Sequence, residues 1–297
     1  MPDLIASLLG GGVDAGSWDG AFDAALLRAR ACDGLGGAFL AGYQGALRAL
    51  VPSLGTGARA ALCATEAGGA HPRHIATRLE GGAVTGEKRW VTGGRGATAL
   101  LVLCVLDEDT LGRKDLRLVW VDPSGPGVFF EDMPPTPFAP EVPHAVVRFE
   151  RAPARAVLDG AGWEDLVKPF RTLEDAYVVG AAMAYVVGWG LREGAPASLV
   201  SAALASVAAL RGIAAMDPRS WATHLALDGA LAQSGGVFAA VDAWCEGIAG
   251  EARDRWLRDR ALLAVASRAR ALRAERAWAV LQSRRNAAME ESTGAAE

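Results

Sequence analysis

Cysteine is scarce and scattered: Cys32, Cys63, Cys104 and Cys245 show no C-x-x-C spacing. That argues against a disulfide framework or a thiolate metal site and reads as isolated, reduced thiols in a cytoplasmic chain. Neither sign of charge dominates. The 30 Lys and Arg are interspersed with 34 Asp and Glu for a net −4, so no dedicated nucleic-acid surface is expected. Histidine is rare too. His71 and His74 stand three apart, but no Cys or carboxylate ligand is close in sequence, so no metal is expected. No uninterrupted apolar run reaches membrane-spanning length, and "MPDLIASLLGGGVDAG" carries an Asp and no basic n-region. Neither a signal peptide nor membrane insertion is expected. The glycines of that stretch follow no strand and open no helix, which argues against a phosphate loop.

What is present is apolar and patterned. Half of the 297 residues are hydrophobic and 22% are charged, enough for one globular unit of two or three sub-domains. Three textures follow one another. Residues 1–55 are a short helical segment, with Phe22, Ala25, Leu26 and Ala29 on one face, then Phe39, Tyr43, Leu47 and Leu50. Residues 56–158 break into short apolar or alternating runs ("HIATRLE", "KRWVTGG", "ALLVLCVL", "LRLVWVD", "GVFFEDM", "HAVVRFE") between Gly- and Pro-rich turns, which predicts an antiparallel β-barrel or sandwich. Residues 159–284 return to helix. "TLEDAYVVGAAMAYVVGWGL" is apolar nearly all round and predicts the central helix of a bundle. "SWATHLALDGALAQ" and "VFAAVDAWCEGIAG" predict separate helices, and Glu251 to about Ser283 a single one, rich in Arg with interleaved acids. Residues 285–297 predict a flexible tail. The fold class is α+β, in the order helix, barrel, bundle.

Within the barrel, "CATEAGGAHPRHIATRLEGGAVTGEKRWVTGG" (Cys63 to Gly94) holds two Thr-containing segments apart by short strands. Taken singly, Trp90 reads as a strand aromatic and Thr65 as a turn residue. Taken as a pair, in order and distance, "CATEAGG…GEKRWVTGG" resembles the middle-domain signature of the acyl-CoA dehydrogenases, a Thr-Glu-Pro-Gly-Ala-Gly-Ser run followed by Gly-x-Lys-x-Trp-Ile-Thr. "RWLRDRALLAVASRA" resembles the late Arg-Asp helix of that family, so the resemblance spans about Gly36 to Leu281. It implies an acyl-CoA dehydrogenase-like fold that binds FAD and removes hydrogen from the α,β positions of an acyl-CoA or other acyl thioester. It also implies Ala64, Thr65, Trp90, Val91 and Thr92 as flavin contacts. Ala70 and His71 replace the Gly-Ser pair that meets the pyrophosphate, where His71 has a donor to offer. A flat apolar cofactor with one polar edge suits an aromatic neighbour and fixed donors.

The reaction so implied needs a carboxylate base in a dry pocket. The commoner family position for it, counted from Arg258 and Asp259, is Ser267 here. The rarer position, at the start of the first C-terminal helix, falls on Glu174 in "TLEDAYVVGAAM". Two readings of Glu174 stand: the base, or a first-turn acid complementing the helix dipole behind a Thr172 cap. Asp175 is the weaker candidate, and Glu141 and His144 read as turn residues beside a strand.

The departures from the family pattern are an N-terminal helical part of only some fifty residues and the absence of the motifs that grip the adenosine half of FAD. "AQSGG" (Ala232 to Gly236) is their nearest echo. They keep open a second reading, a non-catalytic relative serving as a binding or partner subunit. The apolar bundle helices predict a homo-oligomer, most simply a dimer.

Overall fold

The computed structural model describes residues 18–294; the N-terminal apolar run and its glycines lie outside the described residues. Helices α1 (Trp18–Arg30) and α2 (Leu35–Leu50) come first. Phe22, Ala25, Leu26 and Ala29 are buried as the periodicity predicts, and so are Tyr43 and Leu47. Seven strands follow: β1 (Ala60–Cys63), β2 (Arg78–Glu80), β3 (Ala83–Thr92), β4 (Ala99–Glu108), β5 (Lys114–Val121), β6 (Val128–Asp132) and β7 (His144–Val157). Five helices complete the chain: α3 (Lys168–Glu193), α4 (Ala197–Ala214), α5 (Trp221–Cys245), α6 (Glu251–Asp259) and α7 (Ser267–Gly294).

The strands close into a five-strand circuit, β2-β3-β7-β5-β4, because β4 also pairs with β5. β1 lies along β4 ahead of β2, and β6 lies along β7. The barrel is therefore mixed rather than antiparallel throughout: β1 and β2 both run parallel to β4. The 35 residues between β1 and β4 carry the β2–β3 hairpin, which gives the chain length that a parallel return requires.

β4 explains why "ALLVLCVL" does not alternate. Ala99, Leu101, Leu103 and Val105 pack with the helices. Leu100, Val102 and Cys104 fill the barrel. A strand buried on both faces is apolar at every position.

Helix α3 is buried on all sides from Asp175 to Gly190, wrapped by α1, α2, α4 and α5. It begins at Lys168, with Pro169 in its first turn, where a missing N–H costs nothing. Thr172 is therefore an interior residue and not a cap, and Glu174 lies in the second turn. Two further expectations change. α5 runs unbroken through Ser234-Gly235-Gly236: the glycine cost of about 1 kcal/mol each is offset by burial of Leu227, Ala230, Val237 and Val241. The last helix is two, α6 and α7, separated by a tight turn at Arg260–Ala264. α7 then runs to Gly294. Finally, α4 has the length and apolar composition of a membrane span; here its Leu199, Val200, Ala203, Val207 and Leu210 join the main helical core.

Candidate functional site

The two motif segments meet edge to edge. Arg89 N donates to Thr65 O at 2.8 Å, and the two residues form a bridge. Just beyond, β3 bulges. Lys88 pairs with Val147 and Val91 with Ala145, so Arg89 and Trp90 together oppose a single residue of β7. The bulge puts Trp90 at φ 57, a left-handed conformation that costs a bulky residue about 1–3 kcal/mol. Its effect is to turn Trp90 out of the barrel, half exposed, with its ring edge-on to His144 at 5.6 Å. Burial holds the His144 proton affinity below the usual imidazole range, against the Val142 backbone contact. Thr92, which pairs with His144, ends the strand at Gly93 and Gly94, both at positive φ, where glycine is preferred.

Ala64 and Val91 are buried. Val91 packs inside the barrel, so its backbone is what it can offer a ligand. Thr65 is partly buried, and its hydroxyl has no hydrogen-bond partner among the described residues. Ala70 and His71 lie in the turn before β2. His71 is exposed, its Nδ1 accepts from Arg73 N at 3.3 Å, and its ring meets His74 edge-on at 6.1 Å. Among the described residues no three His, Cys, Asp or Glu side chains gather as a metal site.

One pair of residues in this motif is not apparent from composition or family position alone. Lys88 is fully buried within the barrel, and its Nζ donates to Glu66 Oε1 at 2.6 Å. The Glu66 carboxylate also accepts from Ala76 N (2.8 Å), Thr77 N (3.0 Å) and Thr77 Oγ1 (2.8 Å). Burial pushes the Glu66 carboxyl up, but Lys88 and these donors outweigh it and hold it below the ordinary range. The pair ties the first motif segment to the second. Its signal in the sequence was a lysine at the inward parity of β3, in step with Val84.

On the helical side, Glu174 and Asp175 diverge. Asp175 is buried and accepts from Arg270 Nε at 2.8 Å and Arg273 Nη2 at 2.6 Å, fastening α7 to α3. Glu174 is partly buried and has no ion pair or hydrogen bond among the described residues. Burial, reinforced by the Asp175 charge and only partly opposed by Arg171 and Arg270, pushes its carboxyl up to about 7. Burial pushes the phenol of Tyr43, on α2, well up, and the Glu174 charge adds to this.

The other sequence candidates are occupied elsewhere. Ser267 is an exposed first residue of α7. Asp259 is buried, accepts from Ala139 N at 2.7 Å and from Arg258, and Arg258 also reaches Glu141 at 3.2 Å. That cluster clamps α6 to the loop before β7. The Ala232–Gly236 run lies mid-helix in α5.

The sequence matches no protein-family profile and no curated protein. Solved structures do match. Glutaryl-CoA dehydrogenase from Mycobacterium smegmatis aligns over 94% of this chain and 87% of its own at 15% identity, with a TM-score of 0.63. A glutaryl-CoA dehydrogenase of the same organism in complex with FADH2 aligns over 78% and 67% at 14% identity, TM-score 0.54. The prolyl acyl carrier protein oxidase AnaB aligns over 82% and 78% at 14% identity, TM-score 0.57. The layered helices, the barrel between them and these matches together give the chain an acyl-CoA dehydrogenase-like fold.

Proposed function

We propose that the protein is an FAD-dependent oxidoreductase that dehydrogenates the α,β bond of an acyl thioester, carried on CoA or on an acyl carrier, with Glu174 as the base. The observation that carries this reading is the state of Glu174. It is the one acid of the Glu174–Asp175 pair left without an ion pair, and its carboxyl is pushed up to about 7. A group poised near neutral pH is suited to take a weakly acidic α-proton.

The barrel edge fits the ring end of a flavin. The half-exposed Trp90 offers an aromatic face, the Thr65 hydroxyl is unengaged, and Thr92 ends the adjoining strand. A bound flavin would supply the acceptor for the β-hydride. Glu174 would hold the α-proton on a carboxyl oxygen, with the wall of α3 limiting access of water. The matched structures named as a glutaryl-CoA dehydrogenase with FADH2 and as an acyl carrier protein oxidase support both the cofactor and the thioester class. We further propose that the chain works as a homodimer.

The turn holding Ala70 and His71 favours the second reading, a non-catalytic binding or partner subunit. The His71 ring caps its own turn, and no other residue is assigned to the flavin diphosphate, whose charge demands partners. One experiment separates the two. The oxidoreductase takes up FAD with quenching of tryptophan fluorescence, and Thr92→Val weakens uptake by about 1–2 kcal/mol. Glu174→Gln keeps the flavin spectrum but slows its bleaching by an acyl thioester by roughly 10²–10⁴. A folded protein that takes up no flavin at high FAD concentration is the partner subunit instead.

A further inference from the structure

Trp90 keeps an unfavourable conformation with few contacts to hold it. A bulky residue at φ 57 is strained, and such strain persists only where the surroundings impose it. Yet the side chain is half exposed, and its indole N–H has no hydrogen-bond partner among the described residues. The neighbouring Arg89 is taken by Glu87, at 3.0 Å. Among the described residues the one ring in contact with the indole is His144, at 5.6 Å between centroids and 72° between planes. That is an edge-to-face geometry, which aromatic pairs favour.

His144 is itself on a fixed mount. It opens β7 directly across from Thr92. Its carbonyl accepts from Met133 N at 2.9 Å, and the carbonyl of Pro143 before it accepts from Gly93 N at 2.9 Å. Backbone bonds from both sides therefore set where the imidazole stands. We propose that His144, which reads from sequence as a turn residue, is the positioning residue of Trp90: its ring, seated by the β3–β7 ladder, fixes the plane that the indole presents at the barrel edge. The inference rests on the reading of that edge as a flavin site.

An imidazole gives this seat a property that an apolar ring lacks. Once protonated, it lies within the reach of about 6 Å over which an indole attracts a cation, and a charged imidazole quenches the emission of a neighbouring indole. Burial keeps the His144 ring neutral near pH 7 and lets it charge only in more acid solution. The charged groups on the elements around it are paired with one another. Arg95, in the turn after β3, holds Asp132 of β6 at 3.0 Å, and Arg89 holds Glu87 along β3. Arg148 holds Glu150 along β7 itself at 3.3 Å, and Glu131 of β6 is exposed.

The test reads Trp90 in the full-length, flavin-free protein. Nine tryptophans emit, so the Trp90 component is the difference between wild type and Trp90→Phe. That component falls as pH drops through a midpoint below the ordinary imidazole value of about 6.5. The step is absent in His144→Phe, which keeps an aromatic ring but takes no proton; His144→Gln serves in its place where the phenyl ring does not fit. FAD uptake is the second readout. His144→Ala weakens it roughly two- to tenfold, the worth of one aromatic pair, and His144→Phe restores it. A Trp90 emission with no His144-dependent step overturns the proposal. So does uptake as tight in His144→Ala as in wild type. If the wild type itself takes up no flavin, the oxidoreductase reading fails, and the emission step alone decides whether His144 holds Trp90.

Discussion

Glu174 and Asp175 differ by one methylene and one position, yet the 100° turn between them decides their chemistry. Asp175 faces α7 and is spent on two arginines; Glu174 faces α2 and keeps a titratable carboxyl. That carboxyl leaves a trace in stability. The unfolded chain ionises it near 4.5 and the native protein near 7, so between those values the native state holds a proton that the unfolded state has lost. Its contribution is fully present below pH 4.5, falls as pH rises, and is gone above 7. Glu174→Gln removes this pH dependence, and thermal melts should show the variant gaining on wild type by up to about 3 kcal/mol at pH 8 but not at pH 4. A second residue-scale asymmetry lies in the barrel. Glu66→Ala strands a buried ammonium and should cost about 3–5 kcal/mol in denaturant unfolding. Lys88→Met leaves Glu66 its three donors from Ala76 and Thr77 and should cost less, about 1–3 kcal/mol. The place of Glu174 near the start of the first C-terminal helix was legible from its Leu-Glu context. The bond that Leu62 N donates to Tyr43 Oη was not legible: Tyr43 reads as one more apolar position on α2, and only the packing of α2 beside β1 supplies the donor.

At the scale of elements, local pattern was legible wherever a single face is buried, and it failed where distant partners decide. The α1 and α2 faces and six of the seven strands follow from periodicity. β1 is four residues long and is held by pairing with β4, 39 positions away, which no local window contains. The bulge in β3 is likewise a product of its partner, since β7 supplies one residue where β3 supplies two. The unbroken α5 reverses what Gly-Gly suggests, because burial outweighs propensity there; the split between α6 and α7 replaces the single helix expected, at a turn that buries none of its own residues. The crossing of α2 on α3 gives the sharpest check. Gly42→Ala gains about 1 kcal/mol of helix propensity, but its Cβ meets Tyr177 O at 2.6 Å and Val178 Cα at 2.7 Å. Backbone atoms of a buried helix do not yield cheaply, so overpacking at about 1–3 kcal/mol or more should win. The variant is expected to be destabilised by about 1–2 kcal/mol net, with the near-ultraviolet tyrosine signal altered because Tyr43 moves with the helix. An unchanged melting temperature would mean that α2 and α3 separate freely.

In the whole molecule, two cores share β4. One fills the barrel, and the other joins the opposite face of β4 to the helices. The Thr65–Thr92 edge belongs to the barrel and Glu174 to the helical layer, so the proposed site would draw on both. The outer surface is less complete. α7 touches α5, buries Ala274 and Ala277, and sends Arg270 and Arg273 to Asp175. Around it Trp278 is 50%, Val265 65% and Leu272 43% exposed. Covering such side chains returns roughly 25 cal/mol per Å² of apolar surface, and a two-fold axis lets one surface cover itself. The expected state is a homodimer, with light scattering at micromolar concentration giving twice the 30.8 kDa chain mass. Trp278→Asp puts a charge where an aromatic anchor would be buried, and should shift the population to monomer while leaving the far-ultraviolet helix signal intact. A wild-type monomer at that concentration would contradict the dimer. A dimer indifferent to Trp278→Asp would move the contact to another face of the bundle.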